Sequence, residues 1–137
     1  MSIEQNKKIV IDFLDTLPNE PDLAIRWFAE DGVWEATYAN PEFSSMSGFK
    51  NKEELLEMYR GIGNLLQNLK FIVKGLTAED DRVAAQVETK SNLADGTMYN
   101  NIYHMLFELE NEKIKAIREY SDTLYAERVL GSFVDQL

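Results

Sequence analysis

Residues Tyr99 to Asp122, YNNIYHMLFELENEKIKAIREYSD, place the tightest constraint on how this chain can fold. The stretch predicts two long antiparallel strands joined by a tight polar turn at Glu110-Asn111-Glu112. Along the first arm, Tyr99, Asn101, Tyr103, Met105, Phe107 and Leu109 share one face. Asn100, Ile102, His104, Leu106 and Glu108 share the other, because side chains alternate along a strand. The odd-numbered face carries more aromatic and apolar area and is the predicted inward face. Asn101 and Tyr103 set an amide and a phenol among those apolar neighbours. That mixture suits a pocket wall, since an apolar pocket needs a few placed polar groups to orient a ligand. The second arm ends in REYSD, which brings Arg118, Glu119 and Asp122 close to a strand end. Its alternation is ambiguous: Ile114, Ala116 and Tyr120 form one inward set, Ile117, Glu119 and Ser121 another.

Upstream, Ser2 with Gln5 three residues later is a capping-box pattern, and Ile9, Val10, Phe13, Leu14 and Leu17 follow at helical spacing. Pro18 stops that helix. Pro21 opens a second, short helix with a stripe of Leu23, Ala24, Trp27 and Phe28. Asp31-Gly32 is expected to end it through a left-handed glycine cap. Val33 to Tyr38 reads as a strand with Trp34, Ala36 and Tyr38 on one face. Ala39 to Gly48 is loop-like, with Phe43 and Met46 interspersed. Asn51, with Glu54 at the capping-box position, opens a third helix whose stripe is Leu55, Met58, Tyr59, Ile62, Leu65 and Leu66. Gly61 and Gly63 weaken it by roughly 1 kcal/mol each, so a bend or early end is expected there. Lys70 to Thr77 and the segment after Asp80-Asp81 are strands, the second with Val83, Ala85, Val87, Thr89 and Ser91 inward. Asp95-Gly96 is a type I′ hairpin signal. Asp122 suits a cap or turn, and Thr123 to Phe133 reads as a short helix or tail packing Leu124, Val129, Leu130 and Phe133.

Helices gathered ahead of a meander of long strands predict an α+β fold. The expected form is a cone-shaped barrel: three N-terminal helices packed on a strongly curved, mainly antiparallel sheet, with the open mouth as a pocket. At 137 residues the chain is expected to form one domain, 1–137.

Composition narrows the partners. Lys plus Arg number 14 against 24 Asp plus Glu, a formal net charge of −10. Nucleic-acid binding needs a basic footprint, and the chain has none; the same acidity disfavours anionic membranes. There is no cysteine and one histidine, which excludes thiolate chemistry, Cys-ligated zinc and a two-histidine metal site. No metal and no cofactor are expected. Glu4 and Asp12 interrupt the apolar core a signal peptide would need, so a cytoplasmic location is the expectation.

The segments WFAEDGVWEA (Trp27 to Ala36), the glycine-turn hairpin, YNNIYHMLFELENEKI and REYSDT resemble the nuclear-transport-factor-2-like superfamily. The nearest subgroup is that of the SnoaL-like and ketosteroid-isomerase-like proteins, and the resemblance spans nearly the whole chain. It implies a conical α+β domain, often dimeric, that holds a small hydrophobic ligand. The position implied for an isomerase base falls on Ala36. The helix phenol of the isomerases falls near Asp12 or Phe13, and their second oxyanion acid near Met105. The charged strand pair of limonene-epoxide-hydrolase-like members falls on Thr89 and Ser91, with their last acid at Glu119. The His and Asp of SnoaL-type cyclases fall on His104 and Glu119, the one set with both partners present.

With these residues, the resemblance implies a small hydrophobic, oxygen-bearing molecule as ligand. Cofactor-free acid–base chemistry of the isomerase, cyclase or epoxide-hydrolase type would use Glu119 and His104 as catalytic groups. Asn101, Tyr103, Trp34, Tyr38, Tyr59 and Met105 would contact substrate. Simple alternation turns His104 outward, and a bulge would bring it in. Walls of Tyr103, Trp34 and Ile117 would strip water from Glu119 and disfavour its charged form. A non-catalytic ligand-binding or assembly module is the competing reading, with a protein-interaction module behind it. Ile102, His104 and Leu106 on the outer face predict a homodimer through the sheet.

Overall fold

The computed structural model describes residues 2–36 and 48–136. Helix α1, Ile3–Thr16, begins at Ser2, whose hydroxyl accepts the Gln5 N–H at 3.1 Å while the Gln5 side chain accepts the Ser2 N–H at 3.2 Å. This capping box satisfies donors that a helix start otherwise leaves open. Its Val10, Phe13 and Leu14 are buried. A short helix α2, Pro21–Ala24, passes into a 3-10 turn at Ile25–Trp27. Strands β1, Phe28–Ala36, and β2, Gly48–Asn51, follow. Helix α3, Lys52–Leu65, starts on the expected Asn51–Glu54 capping box and buries Leu55, Met58, Tyr59 and Ile62. Strands β3, Gln67–Glu79, β4, Arg82–Asn92, β5, Ile102–Glu110, and β6, Lys113–Ser121, form the meander. Helix α4, Thr123–Leu130, and a 3-10 stretch, Gly131–Gln136, close the described chain.

The sheet runs β2-β1-β6-β5-β4-β3. Among the described strands only β1 and β6 pair in parallel; the other neighbours are antiparallel. The fold is therefore α+β with a mainly antiparallel sheet, open because β2 and β3 form its two edges. Helices α1 and α3 pack on it. Alternation delivers the core. Val83, Ala85, Val87, Thr89 and Ser91 of β4 are buried, as are Tyr99, Asn101, Met105, Phe107 and Leu109 along the first arm.

Several local readings change. The second helix stops at Ala24, and β1 starts at Phe28 rather than Val33. Its register on β6 shifts between Phe28 and Val33. Gly32 is no left-handed cap, since only Gly48 and Gly96 have positive φ among the described glycines. It is needed for a close approach: a Cβ there would stand 2.5 Å from the Phe28 ring. Helix α3 runs past Gly61 and Gly63 to Leu65 with no early end. At Asp95-Gly96 only the glycine is left-handed, with φ 90, and the Gly96 N–H donates to the Leu93 carbonyl at 2.9 Å. A type I′ turn needs positive φ at both central residues. That pair is Asn111, φ 53, and Glu112, φ 64, between β5 and β6. Strand β5 starts at Ile102 because side chains take over the pairing before it: the Asn101 N–H donates to Thr89 Oγ1 at 2.9 Å and the Ser91 N–H to Asn100 Oδ1 at 3.3 Å. Leu124 is 56% exposed, and α4 buries Ala126 and Leu130 instead. Tyr38, Phe43 and Met46 lie outside the described residues.

Asn6 sits fully buried on α1, and neither polar atom of its side chain has a hydrogen-bond partner. An unsatisfied buried amide costs about 1–3 kcal/mol. Asn6→Leu keeps the branched shape and removes both orphaned groups. Urea unfolding is expected to show it more stable by about that amount; a loss of stability would mean that buried water serves the amide.

Candidate active site

Glu119 is the buried carboxylate of the pocket, 8% exposed on β6. It faces inward because β6 carries one extra residue. Leu109 pairs with Ile114, but Glu108 pairs with Ala116, which leaves Lys115 as a bulge. Beyond it Ile117 and Glu119 are buried, while Tyr120 is exposed. The bulge thus resolves the ambiguous alternation in favour of Ile117 and Glu119. Arg118 points outward, where it meets Glu108 at 3.0 Å and Glu35 at 3.6 Å.

The cavity at Glu119 is bounded by Trp34 from β1, Tyr59 and Ile62 from α3, Phe71 from β3, Tyr103 from β5 and Leu130 from α4. Its volume is about 30 Å³, room for about two water molecules. A second void of about 10 Å³ lies behind, shared by Trp34, Tyr59 and Glu119 and otherwise walled by apolar side chains, Phe13, Leu55, Met105 and Ile117 among them. Burial raises the Glu119 carboxyl from its usual 4.5 to about 7, opposed by the Trp34 indole N–H, which donates to it. Desolvation outweighs that one hydrogen bond because removal from water penalises only the charged form.

A chain of polar groups stands beside the carboxylate. The Asn101 amide is oriented by two backbone contacts: its Oδ1 accepts the Ile102 N–H at 2.7 Å, and its Nδ2 donates to the Asp122 carbonyl at 3.1 Å. Nδ2 also donates to the Tyr99 hydroxyl at 2.8 Å, and Tyr99 and Tyr103 share a hydrogen bond of 2.8 Å. Tyr99 oxygen therefore accepts from the amide. Either hydroxyl can donate in the bond between Tyr99 and Tyr103; with Tyr99 as its donor, the Tyr103 hydrogen is left for the cavity. Burial raises the Tyr99 phenol to about 12 and pushes that of Tyr103 well up. Both hydroxyls stay protonated and can act as donors.

The structure gathers Glu119, Tyr103, Trp34 and Tyr59 around one cavity. Met105 lines the void behind it. Asn101 is buried one layer back and reaches the cavity through Tyr99. His104 does not meet Glu119. It is exposed on the outer face of β5, opposite Gln86 on β4 and Tyr120 on β6. No bulge interrupts β5 between Ile102 and Glu108, so plain alternation holds there. Tyr99, Phe71 and Leu130 were not singled out as site residues. Tyr99 was legible, since it shares the inward face with Asn101 and Tyr103; Leu130 becomes a wall only once α4 folds back. A larger concavity, about 560 Å³, is lined mostly by charged side chains that include the Lys52–Glu30 and Lys115–Glu110 pairs, at 2.7 and 2.9 Å. Its chemistry is that of a solvated surface. Among the described residues no His, Asp and Glu cluster is placed to hold a metal ion, and no helix is long and apolar enough to cross a membrane.

A family model, the SnoaL-like domain, matches residues 12–117. No curated protein matches the chain at a significant level. Similar solved structures include PrhC from Penicillium brasilianum, 13% identical over 98% of this chain and 91% of that one, with a TM-score of 0.82. BvnE pinacolase from Penicillium brevicompactum is 18% identical, covering 92% of each chain, with a TM-score of 0.78. A protein of ketosteroid isomerase-like fold from Catenulispora acidiphila, solved with trimethylamine, is 14% identical over 82% of this chain and 83% of that one, with a TM-score of 0.69.

The raised Glu119 carboxyl has a consequence for stability. Between pH 4.5 and about 7 the folded protein keeps a proton that the unfolded chain has released. Stability from this group is complete below pH 4.5, falls as the pH rises through 7, and is level above. The span is on the order of 3 kcal/mol. Urea unfolding of the wild type and Glu119→Gln from pH 5 to 8 is expected to show the wild type losing ground steadily toward pH 7. A constant difference between the two would show an ordinary, hydrated carboxyl.

Proposed function

This chain belongs to the SnoaL-like domain family, and we propose that it binds a small hydrophobic, oxygen-bearing molecule and moves a proton on it without a cofactor. One observation carries the reading: Glu119, raised to about 7, shares an apolar cavity with the Tyr103 phenol. A carboxyl with that pKa exchanges protons near neutral pH. Glu119 takes a proton from carbon or oxygen of the substrate and returns it elsewhere on the molecule. Tyr103 donates a hydrogen bond to the substrate oxygen that gains charge, backed by Tyr99 and Asn101. The reaction class is isomerisation or cyclisation through an enol or a related intermediate. Ala36, the position that the family resemblance gives to an isomerase base, is the direct neighbour of Glu119 across the parallel ladder. The carboxylate thus enters the same space from the adjacent strand. No Lys, Arg or His lines this cavity among the described residues, so an anionic substrate is disfavoured beside the carboxylate.

A non-catalytic ligand-binding role is the second reading, favoured because the family resemblance puts Ala36, Asp12 or Phe13, and Met105 where isomerases carry their acid–base groups. One experiment separates the two. Among ketones, enones and epoxides, a substrate is sought first. Glu119→Gln is then expected to bind it and to lose about 10²–10⁴-fold in turnover. Full activity in the Gln variant removes the catalytic role and leaves the binding module.

We also propose a homodimer through the outer sheet face. Ile102 and Tyr120 there are 60% and 48% exposed and flank His104 and Glu88 around a shallow groove of about 510 Å³. Exposed apolar groups of this size call for cover, and a second copy related by a two-fold axis supplies it with the same surface. Light scattering is expected to give twice the chain mass at micromolar concentration, and Tyr120→Glu to halve it. A monomeric wild type removes the proposal.

A further inference from the structure

Residues 98–101 leave the regular ladder, yet they carry two of the three members of the Asn101–Tyr99–Tyr103 chain. On one side they still pair with β4, where the Tyr99 N–H donates to the Ser91 carbonyl at 2.9 Å. On the other side β6 has already ended at Ser121, so no strand faces them. Tyr125 of α4 takes its place. The Tyr125 hydroxyl accepts the Asn100 N–H at 3.1 Å and donates to the Met98 carbonyl at 3.3 Å. It bridges the backbone on both sides of Tyr99 as a partner strand would. The Tyr125 ring stacks on the Tyr99 ring with centroids 5.5 Å apart and planes 17° from parallel. One and a half turns further along, Leu130 of the same helix closes the cavity and is 1% exposed. Asp122 fixes the start of the helix by accepting the Tyr125 N–H at 3.1 Å, while its carbonyl accepts from Asn101.

We infer that Tyr125 is a positioning residue: its stack and its two backbone hydrogen bonds make the seating of α4 over the cavity and the alignment of the Tyr103 hydroxyl a single event. The inference rests on the proposed donor role of Tyr103. With α4 lifted, Tyr99 loses the ring that holds it, and Met98 and Asn100 lose their bridge. The Asn101–Tyr99–Tyr103 chain then slackens. Leu130 is one wall of the cavity, so lifting α4 widens it for a ligand larger than its present space. The site is therefore open and unaligned, or closed and aligned.

The test reads the phenols directly and needs no substrate. The hydroxyl proton shared between Tyr99 and Tyr103, hydrogen-bonded and sheltered from water, is expected as a slowly exchanging proton NMR signal in the wild-type chain. Tyr125→Ala is expected to lose it while circular dichroism stays that of the folded protein. Tyr125→Phe keeps the stacked ring and loses the bridge, so its signal persists with faster solvent exchange. Leu124→Ala changes an exposed residue of the same helix and is expected to keep the signal. The inference is overturned by a wild-type signal that survives unchanged in folded Tyr125→Ala, by equal loss in Leu124→Ala, or by its absence from the wild type. If Tyr125→Ala does not fold, unchanged exchange in Tyr125→Phe overturns it as well. The outcome is separate from the Glu119→Gln test, since Glu119 can fail as a proton carrier while the phenols still answer to Tyr125.

Discussion

Desolvation of one carboxylate depends on a single surplus residue. Were β6 regular from Ile114 onward, Arg118 and Tyr120 would point into the cavity and Glu119 out to solvent. The bulge at Lys115 reverses that phase. It sends the guanidinium to Glu108 and Glu35 on the outer face and the carboxylate to Trp34 within. A buried charge costs far more than an exposed ion pair returns, so the phase that buries Glu119 is tolerable because the group can stay protonated. The neighbouring features follow. Trp34 reaches Glu119 from a strand whose own register shifts ahead of it, and Phe28 covers Gly32 at that shift.

Much of the architecture was legible in the residues. Ser2 with Gln5 and Asn51 with Glu54 announced two helix starts. Alternation in β4 and along the first arm of the hairpin gave the inward faces, because a period of two assigns every residue once one face is known. What was not legible lies at points where that period breaks. An extra residue at Lys115 leaves no compositional trace, so alternation alone does not say whether the Glu119 or the Tyr120 set faces inward. The early start of β1 was hidden because Phe28 fits a helical stripe as well as a strand. The short strand β2 pairs through backbone groups and shows no apolar alternation, with Phe49 69% exposed.

The candidate site was read unevenly for the same reason. Tyr103, Trp34 and Tyr59 are legible as cavity walls because they are large aromatics on inward faces. Family resemblance pairs His104 with Glu119, and unbroken alternation in β5 separates them. The pattern offers Asn101 to the ligand, whereas its amide is spent on Ile102, Asp122 and Tyr99. Tyr125 carried no signal at all. Its importance comes from where β6 ends, a fact of length rather than of pattern.

The one parallel pairing has a consequence for the order of assembly. Strands β3 to β6 join neighbours in sequence through tight turns and can zip as local hairpins. β1 must instead find β6 across the whole meander, with Ala36 beside Glu119. Closing so long a loop costs chain entropy before any contact repays it. The ladder with the longest loop to close is thus the one that brings Trp34 to the carboxylate. A chain in which β1 has not joined lacks that wall and its indole donor, and a carboxyl not yet withdrawn from water stays charged near neutral pH.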